Sequence, residues 1–242
     1  MQEALINIKR TVSAQHTLFD CSTCIFRNIS CRYMPEEDFE LIRRTSNQMK
    51  FSKGETIYRQ GARCTSLLFL HRGIVKFNYK TDDGRNFITT IVKGPKLLGG
   101  ANLFFKETNI FSVVALEDCD LCHIDIQALR NVCIKHGKYM LTMCEQTINM
   151  FQPSIFNFIS LARKQVYGRI SDILIYLWEY VYKDSEYEFT LSRKEISEFA
   201  ACSHENVITT LSKLNKEDII DLEGKKIIIK NLEKLYSISK NG

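Results

Sequence analysis

Proline is scarce in this chain of 242 residues, at three positions; glycine stands at eleven and tryptophan at one. So little glycine and proline, beside 45% apolar residues, excludes a collagen-like or disordered polymer. No apolar run approaches the roughly 18 residues that a membrane-spanning helix needs. The stretch from Met1 to Phe19 mixes Lys9 and Arg10 with polar groups and has no signal-peptide core. Also missing are a glycine-rich phosphate loop, a nucleophile elbow and paired carboxylates in a catalytic setting, so no enzyme is expected. A cytoplasmic protein is expected, with no membrane partner. Its nine cysteines, an odd number, read as thiols or metal ligands rather than a disulfide framework. A strong excess of one charge is lacking too, since 33 Lys and Arg against 28 Asp and Glu leave only +5. That is a weak pointer to nucleic acid.

What is present divides the chain into four parts: a cysteine-bearing segment over 1–34, a sensor domain over 35–130, a long helix over 131–164 and a C-terminal domain over 165–242. Pro35 to Asn47 reads as a helix with Glu36, Glu37 and Asp38 in its first turn, where the helix dipole favours acids. From Met49 to Asp125 short apolar runs recur between single glycines: Leu67–Leu70, Ile74–Tyr79, Phe87–Val92 and Val113–Leu116. With the hairpin turn Asp82-Asp83-Gly84 they predict a β-barrel or β-roll.

The period then becomes helical. Leu141, Cys144, Ile148, Phe151, Ile155, Phe158 and Ala162 are spaced alternately by 3 and 4, a heptad seam that predicts a helix pairing with a second copy. The alternative is a helix packed on its own barrel. Pro153 inside the seam should kink or divide it.

Further on, Gly168 to Tyr182 is amphipathic, Lys183 to Glu186 a polar loop and Glu188 to Leu191 a short strand. Ser192 with Glu195 three residues later is a capping box that opens a helix. Ala201-Cys202 supplies a tight turn, and Ser203 caps a second helix whose inner face is Val207, Leu211 and Leu214. That is a helix-turn-helix, whose second helix fits a major groove. Ile219 to Ile229 forms a hairpin wing with Lys225 and Lys226 at its tip. Candidate DNA contacts are Arg193, Lys194, Ser203, His204, Glu205, Asn206, Thr209, Thr210, Lys213, Lys225 and Lys226. Residues 163–242 carry 13 basic and 13 acidic side chains, so phosphate affinity there depends on local placement, not net charge. A helix pair with a hairpin that never touches DNA is the alternative.

From about Cys21 to Leu235 the chain resembles the cyclic-AMP receptor protein/FNR transcription regulators. The marks are Lys53-Gly54-Glu55-Thr56-Ile57 with Gln60-Gly61, Gly73-Ile74-Val75-Lys76, Gly168-Arg169-Ile170 and Ser203-His204-Glu205-Asn206-Val207. The resemblance implies an α+β fold: an N-terminal double-stranded β-roll (a cyclic-nucleotide-binding-like jelly roll), a long dimerisation helix and a C-terminal winged helix-turn-helix. It also implies a homodimer, a palindromic site in double-stranded promoter DNA and contact with RNA polymerase. Relatives carry Arg-Glu at the start of the recognition helix and a second Arg four residues after the Glu. Here His204, Glu205 and Thr209 stand there. Glu205 can accept from a cytosine amino group, but Thr209 cannot grip guanine in bidentate fashion. The family's common half-site is therefore not carried over.

In relatives that bind cyclic nucleotides a Glu holds the ribose and an Arg-Ser pair the phosphate. The matching positions here are Gly100 and Ile110-Phe111, and no Arg occurs between Arg85 and Arg130. Cyclic AMP is not expected. Gly99, Gly100, Asn102, Ile110, Phe111 and Ser112 mark an effector pocket for some other ligand. FNR proteins hold a [4Fe–4S] cluster on three N-terminal cysteines and a fourth in the roll. Cys21, Cys24 and Cys31 (C-x₂-C-x₆-C, one residue longer at the second gap) with Cys122 occupy those places. Cys119 should face away from Cys122, three residues along a strand. Cys122 sharing a face with Ile124 and Ile126 would instead be a buried structural thiol. Zinc, other thiol chemistry, haem on His71, His123, His136, Met140 or Met143, and no metal at all remain as alternatives. So do a regulator without a cluster, a ligand-free constitutive factor, and a redox or ligand-binding module that does not bind DNA.

Overall fold

The computed structural model describes residues 20–21, 23–100, 108–183, 186–188 and 191–242. Asn102, one of the expected pocket residues, and the lead-in before residue 20 lie outside them.

A short helix α1 (Ile25–Ser30) precedes α2 (Glu36–Thr45), whose first turn holds Glu36, Glu37 and Asp38 as expected. Arg27 reaches from α1 to the Glu36 carboxylate and ties the two together. Eight strands follow: β1 (Asn47–Phe51), β2 (Thr56–Tyr58), β3 (Ser66–Arg72), β4 (Ile74–Lys80), β5 (Asn86–Lys93), β6 (Lys96–Leu98), β7 (Ser112–Ala115) and β8 (Cys119–Asp125). They form two antiparallel sheets in the orders β1-β8-β3-β6 and β2-β7-β4-β5, the two faces of a β-roll. The apolar runs are continuous because both faces of these strands are covered. On β3, Leu68 and Leu70 point into the roll, while Leu67 and Phe69 pack beneath α1 to α3. On β4, Val75 points inward and Ile74 outward toward the C-terminal helices. Gly73 joins β3 to β4 at φ +107, where an added Cβ would lie 2.5 Å from the Cys119 sulfur. Only glycine fits there.

Asp125 caps α3 (Ile126–Lys135) by accepting from the Ala128 N–H at 2.7 Å. Then comes α4 (Gly137–Arg163), 27 residues long and continuous through Pro153. Of the two expected effects of Pro153, a kink or a division, the division does not occur. The helical period breaks instead at His136, held in an extended conformation with its Nε2 2.7 Å from the buried Asp38 carboxylate. Pro153 leaves the Asn149 carbonyl without its helical donor, a loss that flanking hydrogen bonds carry.

The C-terminal unit comprises α5 (Val166–Tyr176), ending in a π-helical turn over Leu177–Tyr182, then β9 (Glu186–Glu188), α6 (Arg193–Ala200), α7 (His204–Lys216), β10 (Ile220–Glu223), β11 (Lys226–Ile229) and α8 (Leu232–Asn241). The order β10-β11-β9 makes a three-stranded wing sheet; of the short strand expected over Glu188 to Leu191, residues 189 and 190 lie outside the described residues. Ile170, Ile196, Phe199, Val207, Leu211 and Leu214 form the core of this unit, and Ile74, Ile88, Ile91 and Leu116 of the roll belong to the same cluster. One apolar core therefore runs across the junction. Lys76 of β4, 8% exposed, donates to the Glu195 carboxylate of α6 at 2.6 Å, and Tyr176 of α5 donates to the Ile91 carbonyl at 2.5 Å.

Candidate nucleic-acid interface and sensor cavities

The turn between α6 and α7 is set by local chemistry. The Ser192 hydroxyl accepts from Glu195 N–H and the Glu195 carboxylate accepts from Ser192 N–H at 2.7 Å, a complete capping box. Ala201 ends α6 in the left-handed region at φ 46, and Ser203 caps α7 by accepting from Asn206 N–H at 3.1 Å. Arg169 of α5, quoted above only as a family mark, adds to this by donating to the carbonyls of Ala200 and Ala201, fixing the end of α6.

Burial of Val207, Leu211 and Leu214 leaves His204, Glu205, Asn206, Ile208, Thr209 and Ser212 on one open face of α7. Thr210 is the exception among the expected contacts. It is 7% exposed and packs inward with Val207 and Leu211, since three residues past Val207 is the same side of a helix. Ile208, half exposed on the open face, was not expected. Its signal was available: it is the apolar position of α7 that falls outside the inner periodicity. Glu205 accepts from its own backbone N–H and from Ser203, which hold its carboxyl below the ordinary value and keep it an ionised acceptor. Lys194 and Lys225 are exposed, and Lys226 is partly covered at the wing. Lys213 is exposed, but its ammonium lies 4.2 Å from the centre of the Tyr167 ring and 3.9 Å from Glu217. Arg193 is half-buried, and burial lowers its guanidinium pKa.

Of the expected effector residues, Gly99, Ile110 and Phe111 line a cavity of about 350 Å³ between the roll and α4. Gly100 and Ser112 serve structure instead. A Cβ at Gly100 would meet Thr147 Oγ1 of α4 at 2.2 Å, and Ser112 Oγ accepts from the Gln60 N–H at 3.0 Å. Along the heptad seam of α4, Leu141, Ile148, Ile155 and Phe158 are 58–71% exposed and Cys144 and Phe151 half-buried, while Phe151 and Phe158 also border the cavity against the roll. The seam packs on the chain's own barrel only in part, through Phe151. Met143 and Met150 cover the roll with the opposite face.

Cys21, Cys24 and Cys122 line a second cavity of about 200 Å³ beside Arg43, and Gln48 donates to the Cys21 sulfur at 3.4 Å. Cys31 is not among its walls. It is 2% exposed and lies against Tyr139 and Cys133. Among the described residues no three His, Cys, Asp or Glu side chains are placed to hold a metal ion. The four-cysteine set is thus not assembled in this conformation. Burial raises the thiol pKa values of Cys24, Cys31 and Cys122, the last to about 12, so these are protonated thiols rather than ready nucleophiles. Cys119 and Cys122 lie in different cores, as strand alternation requires, and Cys122 does share its core with Ile124 and Ile126. His71 is pushed down to about 4 by burial. His123 sits between Phe51 and Tyr58.

A β-roll joined through a long helix to a winged helix-turn-helix defines a DNA-binding transcription regulator. Comparison with known proteins agrees. Residues 48–136 match the cyclic nucleotide-binding domain family and residues 168–238 the Crp-like helix-turn-helix domain family. The chain belongs to the CRP/FNR family of transcription regulators. It is 23% identical over 190 residues to the cAMP-activated global transcriptional regulator Vfr of Pseudomonas aeruginosa, covering 76% of this chain and 89% of that one. To the cAMP-activated global transcriptional regulator CRP of Pasteurella multocida it is 25% identical over 185 residues, 74% of this chain and 88% of the relative. The structure of FixK2 from Bradyrhizobium japonicum superposes with a TM-score of 0.73 at 18% identity, covering 80% of this chain and 96% of that one. These relatives are regulators, not enzymes. Among the described residues no helix is long and apolar enough to cross a membrane.

Proposed function

We propose that the chain works in the cytoplasm as a homodimer joined along α4, that it reads palindromic promoter DNA with two copies of α7, and that it presents bound RNA polymerase with a signal-dependent surface. The observation that carries this reading is the open apolar seam of α4 on a chain whose α7 face is also open. A two-fold axis along α4 places two recognition helices to meet half-sites about one DNA turn apart. On this reading His204, Glu205, Asn206, Ile208 and Thr209 address base edges, while Lys194, Lys225 and Lys226 address phosphates. A change at the roll that realigns the two α4 helices resets the spacing of the two α7 helices. Selection of bound sequences from random duplex DNA by the full chain tests it. The expected product is an inverted repeat whose affinity falls at least roughly tenfold in Glu205→Ala. An unpaired site, or binding unchanged in Glu205→Ala and in the Lys225→Glu, Lys226→Glu double variant, overturns it.

The convergence of Cys21, Cys24 and Cys122 on one cavity favours a second reading, in which the signal is taken up by thiols. Holding an iron–sulfur cluster on all four cysteines requires Cys31 to leave its place beside Tyr139. Iron, sulfide and zinc assays on anaerobically purified chain test this. A colourless, metal-free protein that binds its promoter equally well in air removes it.

A further inference from the structure

A third cavity, of about 380 Å³, lies where the end of α4 meets α5, α6 and α8, and it shares only Thr90 and Asn157 with the cavity under the roll. Three large side chains stand exposed at its mouth: Phe156 at 61%, Ile159 at 43% and Tyr180 at 59%. Phe156 and Ile159 each fall one position past a seam residue, on another face of α4, so the heptad does not explain why they are apolar. Clustered exposed apolar groups mark binding sites. Behind them Tyr176 stacks on Tyr180 with ring centres 5.5 Å apart and meets Phe199 edge-on at 5.9 Å. The faces of such rings attract cations.

The charged groups of this cavity are Lys164, Asp172 and Glu179. The Lys164 ammonium lies 2.8 Å from the Asp172 carboxylate, which also accepts from Ser160 and Ser239, so these two charges cancel. Glu179 accepts from the Tyr236 hydroxyl and, among the described residues, has no cation beside it. That contact pushes the Tyr236 pKa up to about 12, so the hydroxyl remains a donor and the Glu179 charge stays uncompensated.

We infer that this cavity binds an organic cation with one or two aromatic rings, the rings lying against Phe156, Tyr176 and Tyr180 and the positive charge beside the Glu179 carboxylate. Such a molecule covers the apolar mouth and supplies the charge that Glu179 lacks. The volume lies in the range of small-molecule sites. One wall is α4 and the others are α5, α6 and α8, with only residues 164 and 165 linking α4 to α5. An occupant therefore touches the long helix and the DNA-binding unit together and biases the angle between them. The consequence for DNA rests on the regulator reading above; the binding itself does not.

The test uses the full chain and thioflavin T, a cationic aromatic dye that fluoresces when held rigid, beside its uncharged analogue lacking the ring N-methyl group. Saturable binding of the dye is expected, roughly tenfold tighter than that of the analogue. Glu179→Gln keeps an acceptor for Tyr236 and removes this preference, while the analogue's affinity stays within about twofold. That unchanged affinity also shows the variant to be folded. Tyr180→Ala, at an exposed position, weakens both compounds by roughly fivefold or more. No saturable binding, equal affinity for dye and analogue, or a preference that survives Glu179→Gln overturns the inference. So does binding that appears only in Ile148→Glu, where a broken seam would have uncovered a mouth closed by the second copy.

Affinity for the selected DNA is measured in the same preparations. Saturating dye shifts it by about threefold or more in the native chain relative to Glu179→Gln, a comparison that cancels direct binding of dye to DNA. An unshifted affinity overturns the coupling of the two units. If DNA is bound while the dye is not, the cavity inference alone fails; if the dye is bound while DNA is not, the regulator reading fails.

Discussion

Replacing Ile148 by Glu tests the seam where its contribution is calculable. Ile148 is 68% exposed in the single chain, and Leu141, Ile155 and Phe158 beside it are 71%, 58% and 70% exposed. Burying such a side chain completely yields about 1.5–3 kcal/mol, so covering the remaining two-thirds of Ile148 is worth about 1–2 kcal/mol. A two-fold axis presents every seam residue twice, which makes the loss about 2–4 kcal/mol per dimer. The dimer dissociation constant then rises roughly 30- to 1,000-fold, before repulsion between two facing carboxylates is added. Sedimentation equilibrium over a concentration series reads this directly. Because Ile148 is exposed in the single chain, the variant keeps its helical circular dichroism signal. Ile134→Glu is the control, since Ile134 is 83% exposed on α3 and lies off the seam. An Ile148→Glu dimer as tight as the wild type, or a wild-type chain that is monomeric at tens of micromolar, would refute the reasoning.

Lys76→Met removes the cation from the junction between the roll and α6, where the two side chains of the pair are 10% and 21% exposed. Burial alone would raise the Glu195 carboxyl, but Lys76 and Ser192 together outweigh it and hold its pKa below the ordinary value. The pair's contribution is therefore present above the ordinary carboxyl pKa and is lost as pH falls through the depressed one. Urea unfolding should show Lys76→Met less stable by about 2–4 kcal/mol at pH 7, with the difference shrinking in acid; an equal deficit at both pH values would contradict this. At the wing, Lys225→Gln with Lys226→Gln should weaken binding to all sequences alike and flatten the salt dependence by up to about two counterions per chain, measured by titration at several salt concentrations. A change confined to one sequence would instead mean base readout.

Most local features were legible before the fold was seen. The capping box at Ser192 and Glu195, the Ser203 cap, the turn at Gly84 and the inner face of α7 depend on groups within about four residues of one another. The continuous apolar runs of the roll were legible as strands, but not the reason for their continuity, which is burial of both faces of β3 and β4. Pro153 does not divide α4, because its cost is local while the helix around it is long and braced by Met143 and Met150 against the roll. Thr210 misled because a polar residue in a recognition helix was read by type rather than by angle.

The sequence by itself determined the order of strands and helices, the turn that presents α7 and the apolar seam. These are patterns of period, charge and capping that a chain carries in any surroundings. Tertiary structure alone decided which distant groups meet. It brought Cys122 to Cys21 and Cys24 while sending Cys31 to Tyr139, joined Lys76 to Glu195, merged the roll and the winged helix into one core, and enclosed an apolar cavity against α4. Such meetings are set by how whole elements pack against one another, and spacing along the chain does not encode that packing.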